Sequence, residues 1–236
     1  MLTAPRPKDP VVLSYLALRK AVGFVAFGLP FVVAGAWWLF GGHVFESSIS
    51  SYYYTGMRNL FVGSLCAISM FMLGCRGYDW RDEVAGIFAA ICALGVAFFP
   101  TTPDSGATQH QKDVGIAHYT FAALLFLTLA YFCLVLFKMT VADRKPTRKK
   151  LQRNLVYTVC GYVILASILA IVILKWRDIT HFGKLGTVFV FETTSLLAFG
   201  TAWLIKGETF LKDEEPGPPA KTVTTDGHVM VEQTVK

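Results

Sequence analysis

Glu192 is the side chain whose position most demands a chemical explanation. It lies about a third of the way into Leu185–Ile205, LGTVFVFETTSLLAFGTAWLI, a stretch long enough to cross a bilayer as a helix. A carboxylate inside such a helix costs several kcal/mol, roughly 2.5–3.5 on insertion scales, unless a partner, a water-filled pocket or a proton is supplied. Ser195 follows three residues later on the same helix face and offers a hydroxyl to whatever the carboxylate holds. Arg58 opens another apolar run and is the cation placed to reach Glu192. A guanidinium–carboxylate pair would offset the cost of both charges. His118, about one turn inside a third apolar run, is able to carry a proton, donate a hydrogen bond or ligate a metal. With His43, Asp104, His110 and His181 it would give zinc a set of donors. No two of them stand at HxxxH or HExxH spacing, which would put two ligands on one helix face. No metal or cofactor is therefore assigned, and His110, His118 and His181 are the nitrogens that a zinc ion would use.

The elements that must position these groups follow from composition. The chain has 236 residues, 54% hydrophobic and 16% charged, and the apolar residues fall in long unbroken runs. That pattern predicts an all-α, six-helix transmembrane bundle with no soluble domain. The spans are Ala21–Phe40, Met57–Cys75, Val84–Phe99, Val114–Phe137, Leu155–Leu174 and Leu185–Ile205. Pro30 is expected to bend the first, and Pro100 stops the third. The first run is too long for the apolar core of a signal peptide and is read as a retained span. Residues 1–20 form an N-terminal region with a short interfacial helix over Val11–Lys20, 21–206 form the membrane domain, and 207–236, rich in proline and mixed charge, form a disordered tail. Small-residue pairs Gly63/Ala67 and Gly86/Ala90 would let helices approach closely.

Orientation follows from the basic residues. The turn between spans 4 and 5 carries Lys138, Arg144, Lys145, Arg148, Lys149, Lys150 and Arg153, and the N-terminus Arg6, Lys8, Arg19 and Lys20. The opposite side has only Arg58, Lys112, Lys175, Arg177 and Lys184. Both termini are thus expected in the cytosol, with the bundle in the cell membrane (plasma or inner). Trp37, Trp38, Trp80, Trp176 and Trp203 near span ends suit an interfacial belt. The five cysteines lie within or at the ends of apolar runs, without CxxC, and imply no disulfide framework or zinc knuckle. No basic run is interleaved with aromatics, so nucleic acid is not a partner. The partners are membrane lipids, with a homo-oligomer compatible with the same reading.

This topology gathers ionisable and hydroxyl groups on the outer face. GGHVFESSISSYYYTGMR, between spans 1 and 2, brings Ser50 with its serine neighbours and Arg58. FFPTTPDSGATQHQKDVGIAH, between spans 3 and 4, brings Asp104 and His110. Neither contains a nucleophile elbow, P-loop or dinucleotide fingerprint. The expected site is an outer-face polar pocket with Arg58, His118 and Glu192 at its core and Ser50, Asp104 and Ser195 at its edge.

Four features, the serine run Ser47–Ser48–Ile49–Ser50–Ser51, Phe99–Pro100, His118 and Glu192, are similar to those of uncharacterised bacterial multi-pass membrane proteins. More distantly they resemble the autophagy-modulator and GPI-anchor-remodelling membrane families. The resemblance implies lipid handling or lipid remodelling. A looser likeness to ceramidase and progestin-receptor-like membrane hydrolases implies Ser, Asp and His around a metal. This chain departs from them in having six spans rather than seven and no paired histidines in its last helix. Binding or handling of a lipid headgroup is thus the leading expectation. The alternatives are an intramembrane lipid hydrolase, with or without a metal, and a small proton-coupled transporter.

Overall fold

The apolar runs become helices in a computed structural model that describes residues 10–42, 44–74, 80–139, 147–210, 223–225 and 228–230. The helices are α1 (Pro10–Leu39), α2 (Arg58–Gly74), α3 (Trp80–Phe98), α4 (Gln109–Leu134), α5 (Arg148–Trp176) and α6 (Thr187–Lys206). Among the described residues, four segments are long and apolar enough to cross a membrane: Leu16–Leu39, Gln109–Lys138, Arg148–Trp176 and Thr187–Lys206. α2 is apolar but has 17 residues, and α3 carries Arg81, Asp82 and Glu83 in its first turn.

Local chemistry sets the ends. Thr108 caps α4 in a capping box: its hydroxyl accepts from the Gln111 N–H, and the Gln111 side chain accepts from the Thr108 N–H. Thr147 caps α5 through its hydroxyl, which accepts from the Lys150 N–H. The described part of α3 starts at Trp80, a little ahead of Val84, and Asp82 and Glu83 in its first turn complement the positive end of the helix dipole. α1 corrects an expectation. It runs unbroken through Arg19 and Lys20, so Val11–Lys20 is no separate interfacial helix. Arg and Lys are good helix formers whose stems lie along apolar surface, and nothing at that point breaks the backbone. α6 starts at Thr187 because Leu185–Gly186 pairs antiparallel with His181–Phe182, around Gly183 at φ 62°. His43, residues 1–9, residues 75–79, Arg144–Lys145 and most of the tail lie outside the described residues. Within the tail, Val223–Thr225 pairs antiparallel with His228–Met230.

Each helix packs against its chain neighbours, and α6 also packs against α1, closing a ring. One end carries the serine-rich loop; the other, where α1 and α5 begin and α4 and α6 finish, is basic. Val22, Ala26, Leu29 and Val33 form the buried stripe of α1, with Pro30 buried beside them. Large apolar side chains cover the outside: Phe24 on α1, Ile116 on α4 and Tyr162 on α5 are more than half exposed. Such a belt suits hydrocarbon rather than water. Trp38, Trp80 and Trp176 are exposed near helix ends. Trp203 is not part of that belt. It is buried at 3% exposure, its ring 5.2 Å from Phe132 and 5.0 Å from Phe137, because this face of α6 turns into the bundle.

Close approach is concentrated at the α1–α6 seam rather than at the pairs read from sequence. A Cβ on Gly200 would lie 2.9 Å from the Phe27 amide nitrogen and 3.0 Å from the Gly23 carbonyl oxygen, backbone atoms that cannot swing aside. Gly63 has nothing within 4 Å of such a Cβ, so Gly63/Ala67 brings no helices together, whereas Gly86 does face α2 at the Met72 carbonyl. Gly200→Val is expected to destabilise the bundle by about 1–3 kcal/mol through overpacking. Gly63→Ala should leave the thermal midpoint in detergent unchanged or slightly raised. Equal midpoints for the two variants would refute the seam.

Candidate functional site

The serine run folds because short hydroxyls satisfy the donors of a tight turn. Ser48 Oγ accepts from the Ser51 N–H at 3.0 Å and bonds Ser51 Oγ at 2.8 Å; Ser47 Oγ bonds Ser51 Oγ at 3.0 Å. The chain then makes a 3-10 turn, Ser50–Tyr54, with Ser50, Ser51 and Tyr52 buried. The turn is fastened to α6 at two points. The Ile49 N–H donates to Glu192 Oε2 at 2.7 Å, with the Ser50 amide beside the same carboxylate. The Phe189 N–H, an orphan donor in the first turn of α6, donates to the Ser47 carbonyl at 3.0 Å. Gly186 is required there, since a Cβ would run into the Ser47 backbone.

The other side of the turn is fastened to the α3–α4 connection. Tyr54 donates to the Thr101 carbonyl at 2.6 Å, Thr101 Oγ1 donates to the Tyr119 hydroxyl at 3.0 Å, and Ser47 Oγ donates to Asp104 at 3.2 Å. Ser50, Asp104 and Glu192 are thereby drawn into one assembly. Ser195 is buried at 1% exposure, one helical turn further along α6.

Arg58 and His118 are held elsewhere. The Arg58 guanidinium donates to the Tyr53 hydroxyl and lies 4.3 Å from the centre of that ring. The expected Arg58–Glu192 pair does not form: Glu192 accepts backbone N–H groups instead. The cation whose field reaches Glu192 is Lys175, in the last turn of α5, with its ammonium 4.9 Å from the Tyr119 ring centre. In the sequence Lys175 counts only toward orientation; its place next to Trp176 at a span end is the signal that would add it to the site. His118 is 2% exposed, and its Nδ1–H donates at 2.6 Å to the Phe99 carbonyl, left over where α3 ends before Pro100. It therefore ties α3 to α4. His110 is exposed on the first turn of α4, and His181 bonds the Thr180 hydroxyl at 2.9 Å. Among the described residues no three His, Cys, Asp or Glu side chains stand together as metal ligands.

Glu46 sits beside this assembly. Partial burial and the negative charge of Asp104 hold its carboxyl above the usual glutamate value. No family model, no curated protein and no solved structure matches the chain.

Two outcomes are expected. Glu192→Leu removes the acceptor from a part-buried Ile49 N–H, which costs about 1–3 kcal/mol, whereas Glu192→Gln keeps an acceptor oxygen. Hydrogen exchange over Ser47–Tyr54 should accelerate strongly in the first variant and little in the second; equal exchange in both would refute the fastening. Glu46 gives a pH dependence. Its folded form binds a proton more tightly than the unfolded chain, so stability falls as pH rises from about 4.5 through the raised value. Glu46→Gln should raise the thermal midpoint at pH 7 and match wild type at pH 4. A midpoint lowered at pH 7 would contradict this.

Proposed function

We propose that the chain is an integral membrane protein of six spans, both termini cytosolic, that holds phospholipid headgroups at its serine-rich end through Arg58. One observation carries this reading. The Arg58 guanidinium is exposed, laid on Tyr53 at the edge of an apolar belt, and has no carboxylate within ion-pair distance among the described residues. A guanidinium has five N–H donors in a rigid fork that matches phosphate, and one of them is used by Tyr53. Tyr53 and the exposed Tyr54 are amphipathic rings of the kind that suits the headgroup level, which supports this reading. The uneven Lys and Arg distribution supports the orientation, and the resemblance to lipid-handling families points the same way.

Hydrolysis and proton-coupled transport gain no specific observation of their own. The Nδ1–H of His118 is engaged by the Phe99 carbonyl, and Glu192 holds a backbone amide.

The test uses the full chain purified in mild detergent. Native mass spectrometry should find phosphatidylethanolamine retained by wild type, lost about tenfold in Arg58→Ala and partly kept in Arg58→Lys. Wild type without lipid, or Arg58→Ala with undiminished lipid, would sink the proposal.

A further inference from the structure

The serine-rich end carries two acids that the lipid reading above leaves unused. Glu46 leads into the serine turn, and Asp104 lies in the α3–α4 connection. Ser47 Oγ draws the two connections together: it donates to Asp104 at 3.2 Å and bonds Ser51 Oγ at 3.0 Å. Asp104 is exposed and Glu46 half-buried, and the charge acting on Glu46 is that of Asp104. Two carboxylates so placed disfavour each other's ionised form. Neither makes an ion pair among the described residues.

A third oxygen stands with them. Tyr52 is fully buried, its ring 6.3 Å from that of Phe189, and its hydroxyl has no hydrogen-bond partner among the described residues. The hydroxyl ends beside Glu46: the Glu46 charge acts on it, and the Glu46 N–H lies near its oxygen outside hydrogen-bond geometry. A hydroxyl buried in this way has given up water without a replacement. These three oxygens are complementary to a positive charge that carries several donors. A primary ammonium has three N–H donors and no acceptor. Among the described residues no third carboxylate or imidazole joins the acids as a metal ligand. The acids also share a patch with Arg58. Its field reaches the Tyr54 hydroxyl, which donates to the Thr101 carbonyl, three residues before Asp104. A cation and two acids on one patch match a zwitterion. A quaternary ammonium would instead need open aromatic faces. Here the Tyr53 face is covered by Arg58 at 4.3 Å, and the Tyr119 face by the Lys175 ammonium at 4.9 Å.

We propose that Glu46, Asp104 and Tyr52 form a site for the primary ammonium of a zwitterionic phospholipid whose phosphate is held by Arg58. The site rests on the headgroup reading above and adds its selectivity: Arg58 holds the phosphate common to phospholipids, and the acids choose the amine.

The test uses the full chain in mild detergent, with phosphatidylethanolamine and phosphatidylcholine of the same acyl chains competing and native mass spectrometry as the readout. Wild type should retain phosphatidylethanolamine at least about tenfold over phosphatidylcholine. Glu46→Gln and Asp104→Asn should each bring phosphatidylethanolamine down to the phosphatidylcholine level, and Tyr52→Phe should reduce the preference. Arg58→Ala should lose both lipids. Equal retention of the two lipids by wild type, with both lost in Arg58→Ala, overturns the ammonium site and leaves the Arg58 reading standing. Wild type without either lipid removes both. A preference that survives Glu46→Gln and Asp104→Asn also overturns the site. So does a preference that a calcium chelator abolishes, which would give the acids to a metal ion. Glu46→Gln is expected to be the more stable chain at pH 7, so a preference lost in it is not a failure to fold.

Discussion

The hydrogen bond from the Ile49 amide to Glu192 is the constraint around which the serine-rich end is built. A carboxylate partway along an apolar helix cannot stand without donors. The donors come from the backbone of a tight turn, where successive N–H groups point the same way and have no helical acceptors. Several residues follow from that choice. Ser47, Ser48 and Ser51 close the turn with side-chain hydroxyls. Gly186 leaves room for the chain to cross the start of α6, and Tyr54 fixes the far side of the turn to Thr101. A cation in place of the amides would have needed its own solvation. Amide dipoles carry no net charge and avoid that penalty.

The two ends of the ring treat charge in opposite ways. At the serine-rich end an acid is neutralised by dipoles and hydroxyls. At the basic end cations crowd onto carbonyl oxygens left over by the last turn of α4. Between them the walls are mostly apolar. Ser69 is satisfied there by the Ala90 carbonyl at 3.0 Å, whereas Thr193 Oγ1 on α6 is buried without a hydrogen-bond partner. The aromatic cluster around Trp203 lies between the basic end and the interior.

The sequence made the helices legible because unbroken apolar runs and capping residues such as Thr108 are local signals. It misjudged α1 at Arg19–Lys20 because a break in composition is not a break in the backbone. The site was legible in its members more than in its pairings. Ser50, Asp104 and Glu192 belong to one assembly, as their clustering on one side suggested. Arg58 and Glu192 do not pair, because opposite charge says which groups are able to meet, not which are neighbours. The true partner of Glu192 is the amide of Ile49, and an amide leaves no mark in a sequence. Trp203 near a span end reads as interfacial, and only the ring closure turns its face inward.

The seam between the first and last helices has a consequence for how the molecule is made. Helices emerge from the ribosome in order, yet the inward stripe of α1 is covered by α6 as well as by α2. During synthesis that stripe must face lipid or an insertion factor while four intervening helices are laid down. The bundle is thus an open horseshoe until the final helix arrives. A chain stalled before Gly200 would leave Gly23 and Phe27 uncovered for quality-control proteases.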